Sequence, residues 1–177
     1  MNLKIFTPPL TVILLFLGNS LVFGEEPEVK REFYDSGKLM SETLRTPQGF
    51  YFEGIKEKSD ILERTWWENG RLRTEFYFKG DAQTMWTRWY KSGVKQSEEQ
   101  FEDGKRVIIT NFNESGKKAI EYKYKNGELF SQSNFYPTGI QKSRKYFKDG
   151  LEDGLRTEWA EDGKKTYEGY FKNGNEE

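Results

Sequence analysis

From residue 28 onward the chain alternates apolar and polar residues in runs of about eight, most of them ended by a glycine. The runs are rich in Tyr, Phe, Trp, Thr and Ile, residues that suit a pleated surface. No segment carries a long helical period. The glycines fall into two interleaved series. Gly37, Gly70, Gly93, Gly116, Gly139 and Gly163 are separated by one gap of 33 residues and then by 23, 23, 23 and 24. Gly80, Gly104, Gly127, Gly150 and Gly174 follow at 24, 23, 23 and 24. A fixed period in the low twenties marks a repeat architecture. Each repeat reads as one β-hairpin followed by a second turn. The fold predicted is all-β, an elongated antiparallel sheet of about six tandem 23-residue β-hairpin repeats after an N-terminal signal peptide.

Counting each repeat from its first glycine as zero, position −4 is aromatic in all six: Phe33, Trp66, Trp89, Phe112, Phe135 and Trp159. Position +8 is aromatic in five: Phe78, Phe101, Tyr124, Phe147 and Phe171. Position +5 is Glu42, Glu75, Glu98, Glu121 and Glu168, with Arg144 in the fifth repeat. Position −6 is Thr87, Thr110, Ser133 or Thr157 in four repeats. The repeats fall near 28–48, 61–81, 84–105, 107–128, 130–151 and 154–175, with an insertion at 49–60. Within that insertion Phe50–Gly54 reads as an extra strand and Glu57–Asp60 as its turn.

The triplets ending at the first glycine are DSG, ENG, KSG, ESG, PTG and EDG. A three-residue hairpin loop is commonly a type I turn followed by a left-handed glycine. Pro137 then occupies the second corner, where its fixed φ is favoured. This loop pairs −3 with +1 and −4 with +2. Continued without interruption, it gathers −8, −6, −4, +4, +6 and +8 on one packed face, for instance Met85, Thr87, Trp89, Ser97, Glu99 and Phe101. The wetter face takes −7, −5, −3, +3 and +5, including Trp86, Arg88, Tyr90, Gln96 and Glu98. An odd period must also break the two-residue alternation of side chains once per repeat. The second turn is therefore expected to have an even count or to carry a bulge, and the 24-residue step to hold one extra residue.

Residues 1–24 differ from the rest. Lys4 precedes the apolar run Leu10–Leu17, and Val22 and Gly24 are spaced for a peptidase site before Glu25. This pattern predicts a secretory signal peptide, leaving 25–177 as the repeat domain and placing the protein outside the cytoplasm, periplasmic or secreted. The apolar run is short for a bilayer span, which takes about 20 residues.

Charge narrows the classes further. The 177 residues carry 28 basic against 29 acidic side chains, and no basic stripe of the kind nucleic-acid binders show. With neither Cys nor His, thiol nucleophiles, Ser-His-Asp triads and thiolate or imidazole metal sites are excluded. The Glu column could suggest the paired carboxylates of glycoside hydrolysis. Catalysis, however, needs two carboxyls in unlike environments, and a residue repeated five times reads as cross-strand pairing. Asp103, Asp149 and Asp162 read as turn formers rather than Ca²⁺ ligands. No cofactor, metal or catalytic residue is expected, and the protein is read as a non-enzyme. The exposed aromatics Tyr34, Trp67, Trp86, Tyr90 and Tyr136 are the candidate partner-binding residues.

Units such as FYDSGKLMSE, WWENGRLRTEFYFKG and WYKSGVKQSEEQFEDGK resemble the bacterial MORN-repeat variant family, which includes proteins labelled YwqK-type antitoxins. The likeness runs from Phe33 to Gly174. It implies an elongated sheet of successive hairpins and a role in protein–protein contact. MORN repeats at large are also associated with membranes and phospholipid. Together these readings predict an exported repeat protein that binds or scaffolds a protein partner. The alternatives are an envelope-glycan or lipid-headgroup module and an antitoxin-like neutralising partner.

Overall fold

The computed structural model describes residues 28–50 and 59–177, the side chains of 47–50 and 59 excepted. The predicted signal peptide and the middle of the 49–60 insertion lie outside these residues. The described chain forms β1 (Glu28–Phe33), β2 (Leu39–Phe50), β3 (Ser59–Trp66), β4 (Leu72–Lys79), β5 (Ala82–Trp89), β6 (Lys95–Glu102) and β7 (Lys105–Phe112). It continues with β8 (Lys118–Lys125), β9 (Glu128–Phe135), β10 (Gln141–Lys148), β11 (Leu151–Glu152), β12 (Gly154–Trp159), β13 (Lys165–Lys172) and β14 (Asn175–Glu176). They make one open antiparallel sheet in which each strand pairs with its sequence neighbours, β10 pairing with both β11 and β12. Phe50 pairs with Ser59, so the described ends of the insertion prolong the β2–β3 hairpin.

The first turn has the expected geometry. In the second repeat the Gly70 N–H donates to the Trp67 carbonyl and the Trp67 N–H to the Arg71 carbonyl, both at 2.8 Å. The same two bonds recur in all six repeats. Gly70 has φ +83°, a conformation that a Cβ would strain. The second turn has two residues. Asp103 and Gly104, at φ 49° and 70°, both lie in the left-handed region, as a type I′ turn requires.

Beyond the first turn the register departs from the uninterrupted hairpin. Trp89 faces Lys95, but Arg88 faces Ser97, which leaves Gln96 as a one-residue bulge. Met40, Arg73, Ala119, Lys142 and Thr166 bulge at the same position in the other repeats. A second bulge follows the second turn, at Thr84, Val107 and Phe130. One bulge per turn cancels over the period, so the odd repeat still returns each column to its own face. Within a repeat, however, the bulge exchanges the faces of every residue after +3. This corrects the expected faces: Glu98 shares its face with Thr87 and Trp89, whereas Ser97, Glu99 and Phe101 lie with Trp86 and Arg88. The −4 and +8 rings therefore occupy opposite faces. The extra residue of the 24-residue step lies at Asp153–Gly154, between β11 on Phe147–Lys148 and β12 on Ser143–Arg144.

A single sheet layer buries little. Among the described residues the buried apolar side chains are Leu62, Tyr77 and Phe171, and Leu62 lies directly opposite Tyr77. Small polar groups fill most of the remaining buried places, such as Thr87 at 1% and Ser97 at 2% exposure.

Candidate functional site

The −6 and +5 columns form one row across the sheet. Opposed pairs run Arg31–Glu42, Glu42–Arg64, Arg64–Glu75, Glu75–Thr87, Thr87–Glu98, Glu98–Thr110, Thr110–Glu121, Glu121–Ser133, Ser133–Arg144, Arg144–Thr157 and Thr157–Glu168. Each Glu is supplied with a cation. Arg31 holds Glu42 at 2.7 Å and Arg64 holds Glu75 at 2.8 Å. Where −6 becomes Thr, a lysine at +2 takes over: Lys95 to Glu98, Lys118 to Glu121 and Lys165 to Glu168, at 2.6, 2.7 and 2.6 Å. The fifth repeat inverts the set. Arg144 stands in the Glu column and donates to Ser133 Oγ and Gln141 Oε1, so no lysine is present at +2. Lys118 and Lys123 hold the Glu121 carboxyl below the usual range, against the opposing effect of its partial burial. These carboxylates are engaged in ion pairs, across strands in the first two repeats and within one strand in the third, fourth and sixth.

The −3 aromatics are braces. Tyr34 Oη donates to the Trp66 carbonyl at 2.7 Å, Trp67 Nε1 to Trp89 at 3.2 Å, Tyr90 Oη to Phe112 at 3.1 Å and Tyr136 Oη to Trp159 at 2.9 Å. Each ring thus reaches from one repeat to the backbone of the next. Asn113 replaces the ring in the fourth repeat and donates instead to the Pro137 carbonyl at 3.2 Å. Ala160 stands at this position in the sixth repeat, the last among the described residues. The rings remain half-buried, and cations lie over some of them. Arg73 stands 4.6 Å and Lys91 5.3 Å from the Trp67 centroid, and Lys142 5.6 Å from that of Tyr136. Trp67, Tyr90, Lys91, Ser92, Gln96 and Glu114 line an open depression of about 420 Å³.

Trp86 belongs to a different group. It stands in the −7/+6 row, where Phe76, Trp86, Glu99, Ile109 and Tyr122 lie side by side on successive strands. Unlike the Glu column, this row changes residue type at every step. The Trp86 ring stacks on Phe76 at 5.0 Å, and the Arg88 guanidinium lies 4.0 Å above it. Arg88 also pairs with Glu99 at 2.8 Å, and Arg106 closes on the other Glu99 oxygen at 2.7 Å. Glu99 is 3% exposed, and its two arginines offset the cost of burying its charge. Of the five aromatics expected at a binding surface, Tyr34, Trp67, Tyr90 and Tyr136 line the turn-side margin of this face and Trp86 its centre. Phe76, Arg88, Glu99 and Arg106 complete the central cluster and were not expected. Glu99 was placed on the opposite face by the uninterrupted register, although its isolation in a column of unlike residues was a usable signal. Among the described residues, no group of three or more acidic residues, His or Cys is placed to hold a metal ion.

Residues 152–173 match the family described as the MORN repeat variant. No curated protein matches the chain. Among solved structures, a point mutant of S. aureus TarM in complex with Fondaparinux, alpha-GlcNAc-glycerol and UDP aligns at 13% identity and a TM-score of 0.39. The match covers 60% of this chain and 21% of that one, and so weak a likeness carries no argument.

Proposed function

We propose an exported, non-enzymatic scaffold that binds a protein partner through the face centred on Trp86, a reading supported by the hairpin sheet and by the MORN repeat variant match at residues 152–173. The observation that carries this reading is the row Phe76–Trp86–Glu99–Ile109–Tyr122. Repeated columns build the sheet, whereas a row that differs at every strand offers one particular pattern. Trp, Tyr and Arg are the residues in which binding hot spots are enriched, and a ring held by Phe76 and Arg88 loses little freedom on binding. The engagement of every glutamate of the column in an ion pair supports a non-catalytic role. Export rests on Lys4 and the Leu10–Leu17 run.

Affinity capture on the exported protein tests the reading. Trp86→Ala is expected to lose the partner, whereas Phe33→Ser, on the opposite face, retains it. Retention by a folded Trp86→Ala variant excludes this face. The depression beside Trp67 and Tyr90, with Lys91 at its rim, favours a second reading: a glycan or lipid headgroup bound at the turn-side margin. Glycan-array or vesicle binding that survives Trp86→Ala but fails in Trp67→Phe would support it.

A further inference from the structure

The two outer edges of the sheet complement each other. At one end β1 exposes all six of its residues. At the other, β14 covers β13 only at Phe171 and Lys172, with the Glu177 N–H on the Tyr170 carbonyl. Among the described residues nothing covers Lys165 to Gly169, and an uncovered edge is a template for another strand.

Junctions between successive repeats share a register. Positions +4, +5, +6 and +7 of one repeat face −5, −6, −7 and −8 of the next. Ser41–Thr65, Glu42–Arg64, Thr43–Glu63 and Leu44–Leu62 show it at β2–β3. Ser97–Asn111, Glu98–Thr110, Glu99–Ile109 and Gln100–Ile108 repeat it at β6–β7. β13 carries the plus positions of the last repeat, and β1 the minus positions of the first. Over the uncovered residues the same register sets Tyr167 against Glu32, Glu168 against Arg31 and Gly169 against Lys30.

Two of these three pairs have a physical rationale. Glu168 against Arg31 reproduces Glu42 against Arg64. Lys30 would come opposite Gly169, over which the Glu176 carboxylate lies. We propose that the chain associates head to tail with further copies of itself, β13 of one copy pairing antiparallel with β1 of the next in the register of the repeats.

Such a contact uses a different surface on each partner, so it propagates into an open filament instead of closing a symmetric dimer. It is weaker than an internal junction, because Ala160 provides no ring to reach the Phe33 carbonyl of the next copy. The association is therefore reversible and concentration-dependent.

Sedimentation velocity of the full chain, from micromolar to submillimolar concentration, tests the proposal. The wild type is expected to shift continuously past the dimer. Arg31→Glu and Glu168→Arg should each raise the dissociation constant about tenfold or more, since like charges then face each other across the junction. Both substitutions in one chain should restore association, because the exchanged charges meet again between copies. Far-ultraviolet circular dichroism will verify that each variant keeps the fold. A wild type that stays monomeric throughout would overturn the proposal. So would association unaffected by the single exchanges, or a double variant as weak as either one.

Discussion

In the first two repeats the Glu column takes its cation from the facing strand, and position +2 is apolar, Leu39 and Leu72. In the third, fourth and sixth, the cation comes from a lysine three residues back on the same strand, and the facing residue has shrunk to Thr. The early region also contains the buried Leu62–Tyr77 contact, whereas the later region puts Gln100, Lys123 and Ser131 in that row. The carboxylate persists while its partner moves, so the requirement is neutralisation at that row and not one particular ion pair. In the row of Leu62 the two regions also differ: Leu62 and Tyr77 meet as two buried apolar side chains in the early one, whereas Ile108 stands between Gln100 and Lys123 in the later one.

Leu62→Ala should strain that contrast most. It empties a buried site and should cost about 2–5 kcal/mol in chemical denaturation, whereas Ser131→Ala in the same column should stay within about 1 kcal/mol. Equal losses would dissolve the distinction between the regions. Next comes a transplant of the later solution into the early region. Arg64→Thr removes the partner of Glu75 and should cost about 0.5–1 kcal/mol, and Leu72→Lys added to it should recover part of that loss. A double-mutant cycle without coupling would break the neutralisation argument. Tyr136→Phe removes one brace and should cost about 1 kcal/mol, while Ala160→Tyr, with no following repeat to grip, should change monomer stability little.

The smallest effects lie in the pH dependence. The depressed Glu121 carboxyl stabilises the fold above the ordinary glutamate range, and this contribution is lost as pH falls through its lowered value. Glu121→Gln should flatten the acid limb of a stability profile. Tyr77 behaves in the opposite sense. Burial, and then the charge of Glu75, push its hydroxyl from 10.0 to about 12. Its contribution is complete below pH 10.0 and is lost as pH rises towards about 12, so Tyr77→Phe should flatten the alkaline limb.

The period, the hairpins and the first turn were legible because glycine and Pro137 leave a backbone signature in the sequence. The faces beyond the turn were not. The bulge falls on Met40, Arg73, Gln96, Ala119, Lys142 and Thr166, six residue types with no shared conformational demand, so one unit of register escaped notice. The linked changes at −6, +2 and +5 were in view throughout. Read as charge pairs, they would have set Glu98 beside Thr87 and Lys95 and exposed the slip. The candidate surface was half legible for the same reason: Trp86 precedes the bulge, and Glu99 follows it.

Pairing only between sequence neighbours also bears on how the chain reaches its fold. No strand waits for a distant segment, so loop-closure entropy stays low at every step. Strands can be added in the order in which they emerge during synthesis. Leu62 and Tyr77, meeting early in that order, would form the seed on which the more polar strands are laid down one after another.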